Sequence, residues 1–160
     1  MALTSITTLK VGAKAPSFKA LDQDGRPFDS KEMLGKTWVL FFYPNDMTAT
    51  CTIEVCDLRD HYKKLKQAGL EIVGVSRGDV ASKKKFSSRN KLPFPLLADE
   101  DLKISGKYKV FGDKPFMGKI LESIYRTTFL IGSDGKILHI IKQVKAKEAS
   151  AQILEAVRSL

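Results

Sequence analysis

The sequence predicts an α/β fold in which a mixed central sheet is flanked by helices, and three features carry that prediction. Trp38-Val39-Leu40-Phe41-Phe42-Tyr43 is apolar at every position, as expected of a strand covered on both faces. After it, Cys51, Val55, Leu58, Tyr62 and Leu65 recur at steps of four, three, four and three, which makes one stripe of an amphipathic helix. Leu70-Glu71-Ile72-Val73-Gly74-Val75-Ser76 is a second buried run. Strand, helix and strand in this order form a right-handed crossover with parallel pairing.

The remaining elements follow in order. Between residues 11 and 36, Pro16, the turn Asp22-Gln23-Asp24-Gly25, Pro27 and Gly35 punctuate short segments around Phe18 and Phe28, so an N-terminal β-hairpin extension is expected. Pro44 ends the first central strand. A single long helix is predicted from Thr50 to Ala68, stopped by Gly69. Residues 79–91 form a weakly amphipathic helix anchored by Val80 and Phe86. Two prolines in Leu92-Pro93-Phe94-Pro95-Leu96-Leu97 predict an extended connector with at most an edge strand. Asp99-Glu100-Asp101 caps a short helix that ends near Tyr108. Gly112, Pro115 and Gly118 predict a loop over residues 111–121. One strand over Ser123–Ile131 meets a second, Ile137–Ile141, through the turn Gly132-Ser133-Asp134-Gly135-Lys136. A final helix over Lys147–Ser159 places Ala149, Ile153, Ala156, Val157 and Leu160 on one face.

A chain of 160 residues, 43% hydrophobic and 28% charged, suits one domain over residues 1–160 with a substantial core. The run at residues 38–43 is far too short to span a membrane. Met1-Ala2-Leu3-Thr4-Ser5-Ile6 shows no basic stretch followed by an apolar one, so a cytoplasmic, reducing setting is expected. The net charge of +9 raises the possibility of a nucleic-acid-binding module. Against that, the basic residues are dispersed. The densest run, Lys83-Lys84-Lys85, lacks interleaved aromatic residues and is expected to be a solvated helix face.

Both cysteines lie in Pro44-Asn45-Asp46-Met47-Thr48-Ala49-Thr50-Cys51-Thr52-Ile53-Glu54-Val55-Cys56. A thiol at a helix N-terminus gains thiolate character from unpaired N–H groups and the helix dipole. Thr48, three residues before Cys51, can offer its hydroxyl to the sulfur. No Lys or Arg occurs between Asn45 and Val55, so a cation must come from elsewhere in the fold. Cys56 stands five residues after Cys51, which in an intact helix sets the Cα atoms about 8.7 Å apart. That exceeds the reach of a disulfide. Cys51 heads the apolar stripe, whereas Cys56 aligns with Asp60, Lys63 and Gln67 on the polar side. His61 and His139 are isolated, so no metal site is expected, and the Cys-x-x-Cys pattern is absent.

Phe42-Tyr43-Pro44-x-x-x-Thr48-x-x-Cys51-Thr52-x-Glu54-x-Cys56-x-Leu58-Arg59-Asp60 resembles the signature of the peroxiredoxins. It is most similar to the bacterioferritin-comigratory-protein (peroxiredoxin Q) branch, with its second cysteine five residues after the first. The likeness continues through Leu92-Pro93-Phe94-Pro95-Leu96-Leu97-Ala98-Asp99, Phe116-Met117-Gly118-Lys119 and Arg126-x-x-Phe129-Leu130-Ile131, and so covers nearly the whole chain.

The resemblance implies a thioredoxin-like fold and thiol-dependent reduction of hydrogen peroxide and organic hydroperoxides, without a cofactor. Cys51 resembles the peroxidatic cysteine and Cys56 the resolving one, joined in an intramolecular disulfide that thioredoxin or a similar dithiol reduces. Thr48 matches the threonine whose hydroxyl bonds thiolate and peroxide, and Arg126 the distant arginine that supplies the cation. Pro44 and Thr50 are expected beside the peroxide, and Glu54 matches an acid that orients the arginine. An intrachain disulfide asks for no partner subunit, so a monomer is expected. The family usually has Pro-Gly where this chain has Ala49-Thr50, a less pre-organised turn. A protein thiol–disulfide oxidoreductase is the alternative enzyme.

Overall fold

A computed structural model describes residues 3–160. The chain runs through β1 (Lys19–Leu21), β2 (Pro27–Asp29), β3 (Thr37–Phe42), α1 (Ala49–Asp60), α2 (Tyr62–Gln67), β4 (Leu70–Ser76) and α3 (Val80–Asn90). It continues through β5 (Leu96–Ala98), α4 (Lys103–Lys107), β6 (Phe111–Phe116), β7 (Lys119–Ile124), β8 (Thr127–Ile131), β9 (Ile137–Ile141) and α5 (Ala149–Arg158). Seven strands form a mixed sheet in the order β2-β1-β5-β4-β3-β8-β9. β3, β4 and β5 are mutually parallel, while β8 runs antiparallel to β3. Among the described residues no helix is long and apolar enough to cross a membrane.

The alternation along β3 explains why both faces are covered. Val39, Phe41 and Tyr43 join one buried cluster with Cys51, Val55 and Leu58 of α1, Phe86 of α3 and Ile153 of α5. Trp38, Leu40 and Phe42 join a second with Phe18, Ile104, Tyr108 and Phe129. Full burial of one such aromatic side chain stabilises the fold by about 1.5–3 kcal/mol. Phe41 also fixes the identity of its neighbour in β4. A Cβ on Gly74 would lie 2.6 Å from Phe41 Cζ and 2.8 Å from Leu96 Cδ2, so only glycine fits there.

The mixed sheet, the crossover and the edge hairpin β1–β2 match the sequence expectation. Several boundaries differ. The helix expected over residues 50–68 divides at His61, which sits at φ −108°, ψ 14°, with its Nδ1 2.9 Å from the Asp57 carbonyl oxygen. The apolar stripe nevertheless continues, because Leu65 of α2 is buried with Leu58. β5 lies inside the sheet between β1 and β4, not at its edge.

Residues 111–121, expected to be a loop, mostly belong to the hairpin β6–β7. Its turn, Met117-Gly118, has both residues at positive φ, the type I′ geometry that matches strand twist. The hairpin stands apart from the main sheet, and Phe116, Met117 and Ile120 are exposed. No burial alternation was there to betray it. The single strand expected over Ser123–Ile131 is interrupted at Tyr125-Arg126, between β7 and β8.

The acids before α4 act chiefly through buried Asp99, whose carboxylate accepts from the backbone N–H groups of Ile104 and Ser105 (3.1 and 2.8 Å). α5 begins at Ala149, and Leu160 is exposed, so it leaves the buried face. Lys83, expected on a solvated face, is completely buried and bonds Asp46. Its neighbours Lys84 and Lys85 are exposed as expected.

Candidate active site

Cys51 occupies the first turn of α1, and its side chain is completely buried. Thr48 is the N-cap of that helix, in extended conformation, and its Oγ1 accepts from the Cys51 backbone N–H at 3.3 Å. A cap of this kind is worth about 1 kcal/mol. The hydroxyl that the sequence placed near the sulfur therefore acts first on the backbone that carries it. Ser, Thr, Asp and Asn at this position satisfy N–H groups that the helix itself cannot.

The missing cation is supplied across the sheet. β8 pairs with β3 in the register Phe42↔Thr127, so Arg126, one residue earlier, stands beside the exit of β3 toward α1. Its Nη2 lies 3.5 Å from Cys51 Sγ, and its Nη1 donates to Glu54 Oε1 at 2.6 Å. Cys51 and Glu54 are three residues apart on α1 and so share a face, which lets one guanidinium serve both. Glu54 is completely buried, and its Oε2 has no hydrogen-bond partner. Burial pushes the Glu54 carboxyl above its ordinary value of 4.5, with Arg126 opposing the shift. Arg126 is held in its charged form: burial works against the charge, but Glu54 and Cys51 outweigh it.

Beside this group lies a cleft of about 510 Å3 lined by Thr50, Ile53, Lys114, Tyr125, Arg126 and the segment 144–148. Thr50 is exposed at its rim. Pro44 is half-buried at the start of the loop and is not among the lining residues. Sequence reasoning missed Lys114. It lies in a segment expected to be loop, as one of 27 basic residues, with nothing local to single it out. Its Nζ sits 5.6 Å from the centre of the Tyr125 ring. Burial and the charge of Arg126 both lower its basicity, while Cys51 opposes them.

Cys56 lies on the same helix as Cys51, and both thiols are free. It is half-buried against the cluster that holds Cys51, not turned fully to solvent as its helix position suggested. Its Sγ donates to Asn90 Oδ1 at 3.6 Å. Arg59 Nη1 donates to the Asn90 carbonyl oxygen at 2.8 Å, tying the second half of α1 to the end of α3.

The model of the AhpC/TSA family matches residues 11–140. Peroxiredoxin Bcp of Escherichia coli is 39% identical over 137 residues, covering 86% of this chain and 88% of that protein. Peroxiredoxin Bcp of Bacillus subtilis is 34% identical over 153 residues, covering 96% and 98%. The solved structure of Xanthomonas campestris peroxiredoxin Q superposes with a TM-score of 0.85 at 28% identity, over 96% of this chain and 97% of that one. The central sheet is thus the thioredoxin-like sheet of those proteins. A family match along most of the chain, and relatives that align nearly end to end, show that this chain belongs to the AhpC/TSA family, on its peroxiredoxin branch.

Proposed function

We propose that Cys51 is the peroxidatic thiol of this thiol-dependent peroxidase, served by Thr48, Arg126 and Glu54. The observation that carries the reading is the single guanidinium that reaches both the buried Cys51 sulfur and the buried Glu54 carboxylate. In the first step the thiolate sulfur attacks one peroxide oxygen. An S–O bond forms, the O–O bond breaks, and the departing oxygen takes a proton as water or alcohol. Arg126 and the amides at the head of α1 stabilise the charge that moves onto that oxygen. Thr48 keeps those amides in place and offers its own proton to the peroxide, and Thr50 lines the approach. Pro44 starts the loop and sets its course. Glu54 holds the guanidinium in position.

In the second step the Cys56 thiol attacks the Cys51 sulfenic acid, water leaves and an intramolecular disulfide forms. The intact helix keeps the two sulfurs apart, so α1 must open to allow it. An external dithiol, of which thioredoxin is the representative, then reduces the disulfide by exchange. The cycle needs one subunit and one domain, residues 1–160, and two free thiols suit a cytoplasmic, reducing setting. A small oxidant also fits a completely buried Cys51 better than a disulfide on a folded protein does, which weighs against the oxidoreductase alternative.

Cys51→Ser should abolish peroxide consumption, and full activity in that variant would sink the assignment. Cys56→Ser should allow about one turnover when thioredoxin is the sole reductant. Mass spectrometry after peroxide treatment should find Cys51 linked to Cys56 within one chain. A linkage found only between chains would overturn the intramolecular scheme.

A further inference from the structure

Met47 lies between the end of β3 and the Thr48 cap, with φ at 66°. This is the left-handed region, which residues other than Gly, Asn and Asp enter at a cost. The Met47 side chain is exposed at 37% and its Sδ meets Arg89 Nη1 only at 3.9 Å, so core packing does not impose the turn. Yet the turn matters, because it delivers Thr48 in the extended conformation that caps Cys51.

The preceding residue supplies the constraint. Asp46 Oδ1 accepts from the Tyr43 hydroxyl (2.8 Å) and from Ser76 Oγ (3.4 Å). Its Oδ2 accepts from Ser82 Oγ (2.6 Å) and from Lys83 Nζ (2.8 Å). Lys83 Nζ also donates to the Arg77 carbonyl oxygen at 2.8 Å. These donors stand on the exit of β3, the end of β4 and the first turn of α3. One carboxylate therefore ties the loop before Cys51 to three separate elements. Both side chains of the pair are essentially closed to solvent, at 0% for Lys83 and 4% for Asp46.

We propose that Asp46 and Lys83 are positioning residues that hold Met47 in its left-handed turn and thereby keep the Thr48 cap on Cys51. The proposal rests on the reading of Cys51 as the reacting thiol only for its effect on rate. Its structural core, the capped Cys51 amide, is measurable without any peroxide.

Two readouts test it together, both well below the melting temperature. One is hydrogen exchange of the Cys51 amide in the reduced protein, and the other is the second-order rate of Cys51 oxidation by hydrogen peroxide. Asp46→Asn and Lys83→Met should speed the exchange and slow the oxidation by about tenfold, the order expected when a strained turn is released. Ser82→Ala, which removes one bond and leaves the ion pair, should give a smaller change of the same sign and guards against variants that fail to fold. Adding Met47→Gly to each should restore both readouts most of the way, because glycine enters the left-handed region without the penalty. A merely structural loss would not be repaired by a more flexible residue. Lys66→Met, which breaks the exposed pair with Glu71, should change neither readout. The proposal is overturned if exchange is unaltered in Asp46→Asn and Ser82→Ala, if Met47→Gly repairs nothing, or if Lys66→Met has the same effect. Altered exchange with oxidation found away from Cys51 would support the clamp and remove the assignment of the thiol.

Discussion

Two buried ion pairs flank the loop and first turn of α1 that lead to Cys51, and they are satisfied to different degrees. In Asp46–Lys83 each carboxylate oxygen has two donors and the ammonium has two acceptors within 3.4 Å. In Glu54–Arg126 one carboxylate oxygen has no partner, the arginine remains 15% exposed, and its second nitrogen points at sulfur. A carboxylate with two donors on each oxygen has no lone pair left for a ligand, and such a network rigidifies what it joins. An unsaturated pair beside a cleft keeps donors that a reacting oxygen can use. The difference separates the proposed clamp from the proposed working group, although each joins one buried carboxylate to one cation within 2.8 Å.

Breaking each pair should therefore damage different properties. The largest effect is expected for Lys83→Met on stability. It strands the Asp46 carboxylate in the interior, and loss of one partner from such a pair costs about 3–5 kcal/mol. Urea unfolding measures this directly, and a loss below about 1 kcal/mol would remove the clamp from the list of structural supports. Replacing both partners, as in Asp46→Leu with Lys83→Met, should regain much of that loss, because no orphaned charge remains. Arg126→Met should show the opposite profile. Oxidation of Cys51 should slow by about 10²–10³-fold, equivalent to about 2.7–4 kcal/mol in the barrier. Its stability loss should be smaller than that of Lys83→Met, because burial already biases Glu54 toward its neutral form. Stopped-flow oxidation and urea unfolding on the same samples compare the two; equal stability losses would erase the distinction.

The sequence carried the α/β layering because the cues were local: an apolar run at 38–43, a helical stripe from Cys51 to Leu65, and a two-strand turn at 132–136. Among the candidate site residues, Cys51 and Thr48 stood out as a thiol and a hydroxyl at a helix start, whereas Glu54 and Arg126 were singled out by likeness to a family motif. The approach of Arg126 to Cys51 and Glu54 was not readable from spacing, since Arg126 meets α1 only through the β3–β8 register. Lys83 was misplaced because burial of one lysine among three is decided by a partner 37 residues away. The β6–β7 hairpin escaped notice because its strands bury no regular face and carry Gly112 and Pro115, with Gly118 in the turn, ordinary marks of a loop. Lys114 went with it.

Smaller effects refine the contrast. Thr48→Val keeps the shape of the side chain but removes the oxygen that accepts from the Cys51 amide. The loss should be about 1 kcal/mol of stability, with slower oxidation, since the cap holds the backbone that carries the proposed peroxidatic thiol. An unchanged rate constant would confine Thr48 to the cap.

The smallest effect is expected for Glu54→Gln, read as a change in the pH dependence of stability. Burial holds the folded-state carboxyl above 4.5, whereas the unfolded chain releases that proton near the ordinary value. Between these two points the folded protein binds more protons than the unfolded one, so stability falls as pH rises through the window. Above the window the lost stability stays lost. Arg126 limits the fall by favouring the ionised form, which is why the effect is small. Glutamine has no proton to release, so urea midpoints measured from pH 4 to pH 8 should decline less in Glu54→Gln than in the unmodified chain. Asp46→Asn, by contrast, should lower stability outright at pH 7, because it removes the carboxylate that pairs with the buried Lys83 ammonium. If Glu54→Gln shows the steeper decline, Arg126 outweighs burial at Glu54, and the direction assigned to that carboxyl is overturned.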